Sequence, residues 1–182
     1  MDGVRFLDRL VPVAEAEAID WDVVYRQELP RVYNFHRFRV FNQATAEDLT
    51  SLTFEKAWRA RGSYRKSRAA VSTWLIAIAR NVATDHFRQR RDEVPLEKAI
   101  LAETKTPESE AARRAELLRL GVLVGALTDR EREVIALKYG AETTNRAIAT
   151  LTGLSESNVG TILHRTIAAL RAAWDKEDDR ER

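Results

Sequence analysis

Throughout this chain the apolar residues return three and four positions apart, and only 7 glycines and 4 prolines interrupt them in 182 residues. That spacing winds one apolar stripe along a helix. A half-buried strand would instead alternate at every second residue, and no segment sustains such alternation. An all-α fold follows. Helices are expected over Trp21–Asn42, Ala46–Arg61, Val71–Arg91, Ser109–Ala126, Asp129–Tyr139, Asn145–Thr152 and Glu156–Asp175. Between the third and fourth lies "DEVPLEKAILAETKTPESE", which is polar, acidic and carries two prolines, the composition of a linker. The expected organisation is two small helical domains, an N-terminal helical bundle and a C-terminal helix-turn-helix domain, joined by a flexible acidic linker. Their bounds are an N-terminal extension at 1–20, a first domain at 21–91, a linker at 92–113, a second domain at 114–175 and a tail at 176–182.

The formal charge of +2 conceals a segregation. Residues 21–91 hold 14 Lys/Arg against 6 Asp/Glu, while the flanking segments compensate. A basic block on an otherwise balanced chain suits a polyanionic partner. The absence of cysteine removes disulfides, thiolate metal sites and thiol nucleophiles. No apolar run approaches a bilayer span, and "MDGVRFLDRLVPVAEAE" has no signal-peptide core, so a cytoplasmic protein without a membrane partner is expected. No nucleophile–base pair, phosphate loop or metal-ligand cluster is spelled out, so neither enzymatic activity nor a cofactor or metal is expected.

In "VSTWLIAIARNVATDHFRQRR" Val71, Leu75, Ile78 and Val82 form a core stripe, with Trp74 at its edge as a further core residue. The opposite side carries Thr73, Ala77, Arg80, Thr84, Arg88 and Arg91. Small polar residues and arginines of this kind can lie against a phosphate backbone and still reach base edges. Asp85 is placed either to orient a neighbouring arginine or to touch a base. The loop before this helix supplies Tyr64, Arg65, Lys66, Ser67 and Arg68, an aromatic ring among cations, which suits unstacked single-stranded bases. In "AEDLTSLTFEKAWRA" Glu47 and Asp48 are expected in the first helical turn, where acids favour the helix dipole. Phe54 and Trp58, four apart, share a face of the kind that usually joins a core.

The C-terminal portion opens with Thr128 or Asp129 as N-cap before "EREVIALKYG", in which Val134, Ile135, Leu137 and Tyr139 are expected to be buried in part. Then comes "NRAIATLTGLSESNVGTILHRTIAALRAAW". Ala147-Ile148-Ala149, with small residues that allow close helix approach, Gly153 at a turn, and Val159 and Leu163 as locking residues have the spacing of a helix-turn-helix. Ser155 is placed as the N-cap of the second helix. Its buried face is Val159, Leu163, Thr166, Ile167, Leu170 and Trp174, leaving Ser157, Asn158, Thr161, Arg165 and Ala168 outside, flanked by His164 and Arg171.

Taken in order, "VYRQELPRVYNFHRF", "AEDLTSLTFEKAW", "STWLIAIARNVATDHFRQRR" and "LTDREREVIALKYGAETTNRAIATLTGLSESNVGTILHRTIAALR" resemble an extracytoplasmic-function sigma factor, the two-domain minimal class of bacterial RNA polymerase sigma subunit. The resemblance implies a subunit that binds core RNA polymerase and directs promoter recognition, −10 melting and transcription initiation, the polymerase doing the chemistry. Carried over by position, it implies that Asp48, Leu52, Thr53, Phe54 and Trp58 dock on the clamp helices of the polymerase's largest subunit, with the flap region as a further polymerase contact. It implies −10 and single-strand contacts from Tyr64, Arg65, Lys66, Ser67, Arg68, Thr73, Arg80, Asn81, Thr84, Asp85, Arg88 and Arg91. Glu156, Ser157, Asn158, Thr161, His164 and Arg165 would read the −35 element. The linker would thread toward the active-site channel, and an anti-sigma factor is an implied partner.

Three departures from the family pattern carry consequences. Ser51-Leu52-Thr53-Phe54 replaces the usual Gln-Glu-Thr-Phe and loses a carboxylate. The −10 loop is unusually basic. Gly160 and Ile162 stand where lysine and arginine are common, which implies weak or unusual −35 recognition with most DNA affinity in the first domain. The competing functional readings are a stand-alone helix-turn-helix regulator and a degenerate sigma homologue recruited to DNA by another factor.

Overall fold

The computed structural model describes residues 19–67, 69–91 and 108–181. The N-terminal extension up to residue 18, Arg68 and the linker over 92–107 lie outside the described residues, as does position 182. Asp20 starts α1 (Trp21–Val40) by accepting the backbone N–H groups of Asp22 and Val23, two of the donors that a helix start leaves unpaired. Asn42 does the same for α2 (Gln43–Ala60), accepting from Thr45 at 2.8 Å. This cap starts α2 three residues before the expected Ala46. Glu47 and Asp48 therefore sit beyond the first turn, and Glu47 is instead held by Gln43 at 2.9 Å.

A 3-10 turn at Arg61–Ser63 leads through the basic loop to α3 (Val71–Arg91). The second unit begins with α4 (Glu108–Gly125), whose first turns occupy the end of the stretch expected as linker. Thr128 and Glu131 cap α5 (Asp129–Ile135) reciprocally, and the same helix runs on as a π-helical turn over Ala136–Gly140. Thr144 caps α6 (Asn145–Thr152). Gly153 ends it in the left-handed conformation (φ 73°), which a glycine adopts without steric cost. Ser155 then accepts the N–H of Asn158 to open α7 (Glu156–Glu181), which continues through the expected tail. Among the described residues there is no strand, and no helix is long and apolar enough to cross a membrane.

Helices α1, α2 and α3 pack around Val32, Phe35, Ala57, Leu75 and Ala79. His36 is also in this core, fully buried. Its Nε2 lies 2.9 Å from the Thr53 hydroxyl, which itself donates to the Leu49 carbonyl at 2.7 Å. With the hydroxyl proton so committed, Nε2 is the donor, and the ring is neutral with its proton on that nitrogen. Burial, with Arg39 and His86 nearby, lowers its pKa from 6.5 to about 3.

The two helical units do not stand apart. Val134, Ile135, Ala136 and Leu137 belong to the same buried cluster as Phe35, Ile76 and Ala83, so one core runs through both. The backbones of the two units approach closely at Gly140 against α1. A Cβ on Gly140 would stand 2.8 Å from the Asn34 carbonyl oxygen and 3.0 Å from the Phe35 Cα, distances at which the backbone must move. Helix α3 is consequently buried on more than its expected stripe, since Ile76, Ala79 and Ala83 are covered as fully as Leu75 and Val82.

His36 gives the fold a defined acid sensitivity. The unfolded ring takes a proton near pH 6.5 and the folded one only near pH 3. Stability is therefore complete above pH 6.5 and falls as the pH drops through that window. Chemical unfolding should show a loss of about 2 kcal/mol at pH 5 relative to pH 8 from this ring. His36→Gln should flatten that part of the profile.

Candidate nucleic-acid and polymerase interface

On α3 the candidate DNA-contacting residues divide into two groups. Asn81, Thr84 and Arg88 are exposed, with Arg88 held at 3.1 Å by Asp85, which also meets Lys56 at 3.6 Å. Asp85 thus orients an arginine, one of its two expected roles. Arg91 is the last residue of the helix. Thr73 and Arg80 are turned toward the second unit. Thr73 lines a cleft of about 190 Å³ with Arg31, Ser72, Glu142 and Thr143. The Arg80 Nε donates to the Glu133 carboxylate at 2.7 Å. The expected open stripe of arginines is thus interrupted at Arg80, because α5 supplies a carboxylate that the sequence separates from it by 53 residues.

In the loop, Arg65, Lys66 and Ser67 are exposed. Tyr64 departs from its expected role as a stacking surface: it is 8% exposed. Its hydroxyl donates to the Ala69 carbonyl at 2.8 Å, and its ring meets Trp21 and Trp74 edge-on or tilted. The ring has already found aromatic partners in the protein, so it shapes the loop rather than offering a face. Trp74 sits, as expected, at the edge of the core.

On α2, Asp48, Leu52 and Trp58 face outward, Trp58 at 54% exposure, and Phe54 is half-buried. The expectation that Trp58 belongs to the core with Phe54 fails. One side of its ring is instead covered by the Arg61 guanidinium at 3.9 Å. Thr53 fails in the opposite sense. Placed among the docking residues, it is completely buried and serves His36. Sequence reasoning missed Trp21 and Tyr25, which complete an apolar groove of about 150 Å³ with Val24, Phe54 and Trp58. Tyr25 packs edge-on against Phe54 at 4.7 Å. The signal was present as aromatic residues early in a helix that otherwise needed only a stripe of core contacts.

On α7, Glu156, Ser157, Asn158, Thr161, His164 and Arg165 are all exposed, and Val159, Leu163 and Thr166 are buried behind them. Ile162 is half-buried against the core cluster and is not on the reading face. Gly160 has open space where a side chain would project. Tyr139, expected to be partly buried, is 49% exposed on the π-helical turn. No group of His, Asp or Glu among the described residues is disposed to hold a metal.

Residues 24–93 match the family description Sigma-70 region 2, and residues 123–172 match Sigma-70, region 4. The RNA polymerase sigma factor YlaC of Bacillus subtilis is 30% identical over 166 residues, covering 87% of this chain and 94% of that protein. The chain belongs to the RNA polymerase sigma factors. Its relatives place it in the extracytoplasmic-function group. The sigma factor SigM of Bacillus subtilis is 28% identical over 85% of this chain and 95% of that protein. BldN of Streptomyces coelicolor is 27% identical over 93% of this chain, which spans 66% of BldN. Among solved structures, the sigma factor RpoE in complex with the anti-sigma factor NepR from Bartonella quintana superposes with a TM-score of 0.70 at 21% identity. That match covers 86% of this chain and 97% of RpoE, and it shows a shared fold. A sigma factor binds core RNA polymerase and promoter DNA and directs initiation without catalysing it.

Burial separates the structural from the interfacial residues of this sigma factor, and stability measurements should do the same. Thr53→Val leaves the buried His36 donor unpaired and should cost about 1–3 kcal/mol in chemical unfolding. Trp58→Ala, at an exposed position, should shift stability by no more than about 0.5 kcal/mol.

Proposed function

We propose that the sigma activity is divided between three surfaces. Asp48, Leu52, Phe54 and Trp58, extended by Trp21 and Tyr25, form the docking surface for the clamp helices. Arg65, Lys66 and Ser67 with Asn81, Thr84 and Arg88 grip and help to open the −10 element. Glu156, Ser157, Asn158, Thr161, His164 and Arg165 read the −35 element. The observation that carries this reading is that α7 turns every one of its six candidate reading residues to solvent while Val159, Leu163 and Thr166 are buried behind them.

That reading face holds one arginine and one histidine against one glutamate, so it supplies few phosphate contacts. The loop and α3 supply the larger share of the electrostatic grip. The exposed Tyr139 of the second unit is available for the flap region. In one solved neighbour the sigma factor RpoE is bound by the anti-sigma factor NepR, and a partner of that class suits this chain too. A role as a subunit of core polymerase implies a cytoplasmic protein.

Transcription in vitro with core polymerase and a randomised promoter library tests the assignment. Trp58→Ala should lower affinity for core polymerase by roughly tenfold or more, the loss of about 1.4 kcal/mol or more typical of an aromatic contact at an interface. Gly160→Lys, which has room for its side chain, should tighten binding to the selected −35 duplex and steepen its salt dependence by about one unit of slope. Specific duplex binding by the isolated chain, with no gain on adding polymerase, would instead identify a stand-alone regulator.

A further inference from the structure

A polar cleft opens on the seam between the two units, where α1, α3 and the start of α6 meet. It spans about 190 Å³ and takes Arg31 from α1, Ser72 and Thr73 from α3, and Glu142, Thr143 and Thr144 from the approach to α6. Local structure explains the convergence. The π-helical turn ends at Gly140, and Glu142 follows in the left-handed conformation (φ 50°). That residue turns the chain, and Thr143 and Thr144 both line the cleft before α6 begins.

The lining is rich in hydrogen-bond donors that the protein leaves unused. Arg31 is half-buried, and only its Nη1 is engaged, by Glu28 at 3.5 Å, beyond the usual hydrogen-bond range. Its other guanidinium N–H groups have no partner among the described residues. The Ser72 and Thr73 hydroxyls, on half-buried residues, have none there either. Thr144 accepts the Ala147 N–H at 3.2 Å, which leaves its own O–H free to donate. Thr143 is already committed, donating to the Ala141 carbonyl at 3.3 Å.

Sign, shape and size then define what fits. A guanidinium can only donate and a hydroxyl donates readily, so a ligand rich in acceptor oxygens satisfies the set. The planar guanidinium pairs with two oxygens of a carboxylate or a phosphate at once. A carboxylate has no further oxygen to offer, whereas a tetrahedral phosphate still presents oxygens to hydroxyls arriving from other directions. The one carboxylate in the lining, Glu142, is exposed to water. At about 190 Å³ the cleft is smaller than the roughly 300–1,000 Å³ pockets of drug-sized ligands, which favours a small ion or a single phosphoryl group.

We propose that this cleft is a binding site for a small phosphate-class anion, held by Arg31, Ser72, Thr73 and Thr144. The first unit supplies three of these residues and the second supplies Thr144, so the site is complete only where the units meet. It stands apart from the docking, loop and reading residues assigned above and does not depend on that assignment. An anion bound there stabilises the folded chain by mass action.

The full-length chain in phosphate-free buffer is titrated with inorganic phosphate and, separately, with methyl phosphate, a minimal phosphomonoester. Sodium chloride holds the ionic strength constant. Calorimetry reads the affinity, and backbone amide NMR shifts locate the site. Saturable binding should come with shifts at Ser72, Thr73, Thr143 and Thr144. Arg31→Gln should weaken it roughly tenfold or more, the loss of a charge-assisted hydrogen bond. Thr73→Val keeps the side-chain shape, removes one neutral donor and should weaken binding roughly threefold to tenfold. Arg26→Gln, an equal charge change at an exposed position on α1 outside the lining, should leave the affinity unchanged.

Methyl phosphate binding as tightly as phosphate identifies a phosphoryl group on a larger molecule as the ligand, and its rejection identifies the free ion. Absence of saturable binding, or shifts confined to the basic loop at Arg65 and Lys66, would overturn the site. Equal losses in Arg31→Gln and Arg26→Gln would overturn it too, reducing the effect to net charge. If Arg31→Gln lowers helical content, Thr73→Val decides alone, and unchanged affinity in that variant ends the proposal.

Discussion

Burying Glu133 between two helical units constrains everything around it. An uncompensated carboxylate in that position would be prohibitively costly, so α5 can dock only where arginines await it, and α1 and α3 provide Arg39 and Arg80. Those arginines in turn leave the solvent face that a helix of this composition would otherwise present. The same docking requires Gly140 to meet the α1 backbone without a side chain, and it shields Ile76, Ala79 and Ala83 from water. The charged centre sets the register of the seam, and the apolar cluster supplies its free energy.

Much of the remaining architecture is local. Asp20, Asn42, Thr128, Thr144 and Ser155 each satisfy free N–H groups at a helix start, and Gly153 supplies the left-handed residue that separates α6 from α7. These signals depend on a few consecutive residues, and they place the helices where the periodicity does. Where a cap was overlooked, as at Asn42, the helix boundary moved by three residues and carried Glu47 and Asp48 out of the first turn.

The candidate site was less evenly legible. The reading face of α7 followed from periodicity, because a helix packed along one stripe must expose the opposite one, and Ser157, Thr161 and Arg165 lie there. Thr53 and Tyr64 were misplaced for a common reason. Each belongs to a type that serves equally well at an interface or inside, and each found an internal partner far from its neighbours in the chain: His36 for the one, Trp21 and Trp74 for the other. Trp58 departs the other way, since a large aromatic residue usually buries itself, yet here it is 54% exposed with the Arg61 guanidinium over its ring.

The sequence by itself determined the helices, their caps, the helix-turn-helix and membership in the sigma factors. All of these are written in residue spacing within one or two turns, or in ordered motifs that survive at about 30% identity. Only the tertiary structure decided that the two units share a core, that burial keeps His36 neutral while Thr53 accepts its hydrogen bond, and that Arg80 faces Glu133 rather than water. The physical reason is range. Helix periodicity states which face of a segment must be hidden, whereas the identity of what hides it depends on pairings between segments 17 and 53 residues apart, about which local spacing is silent.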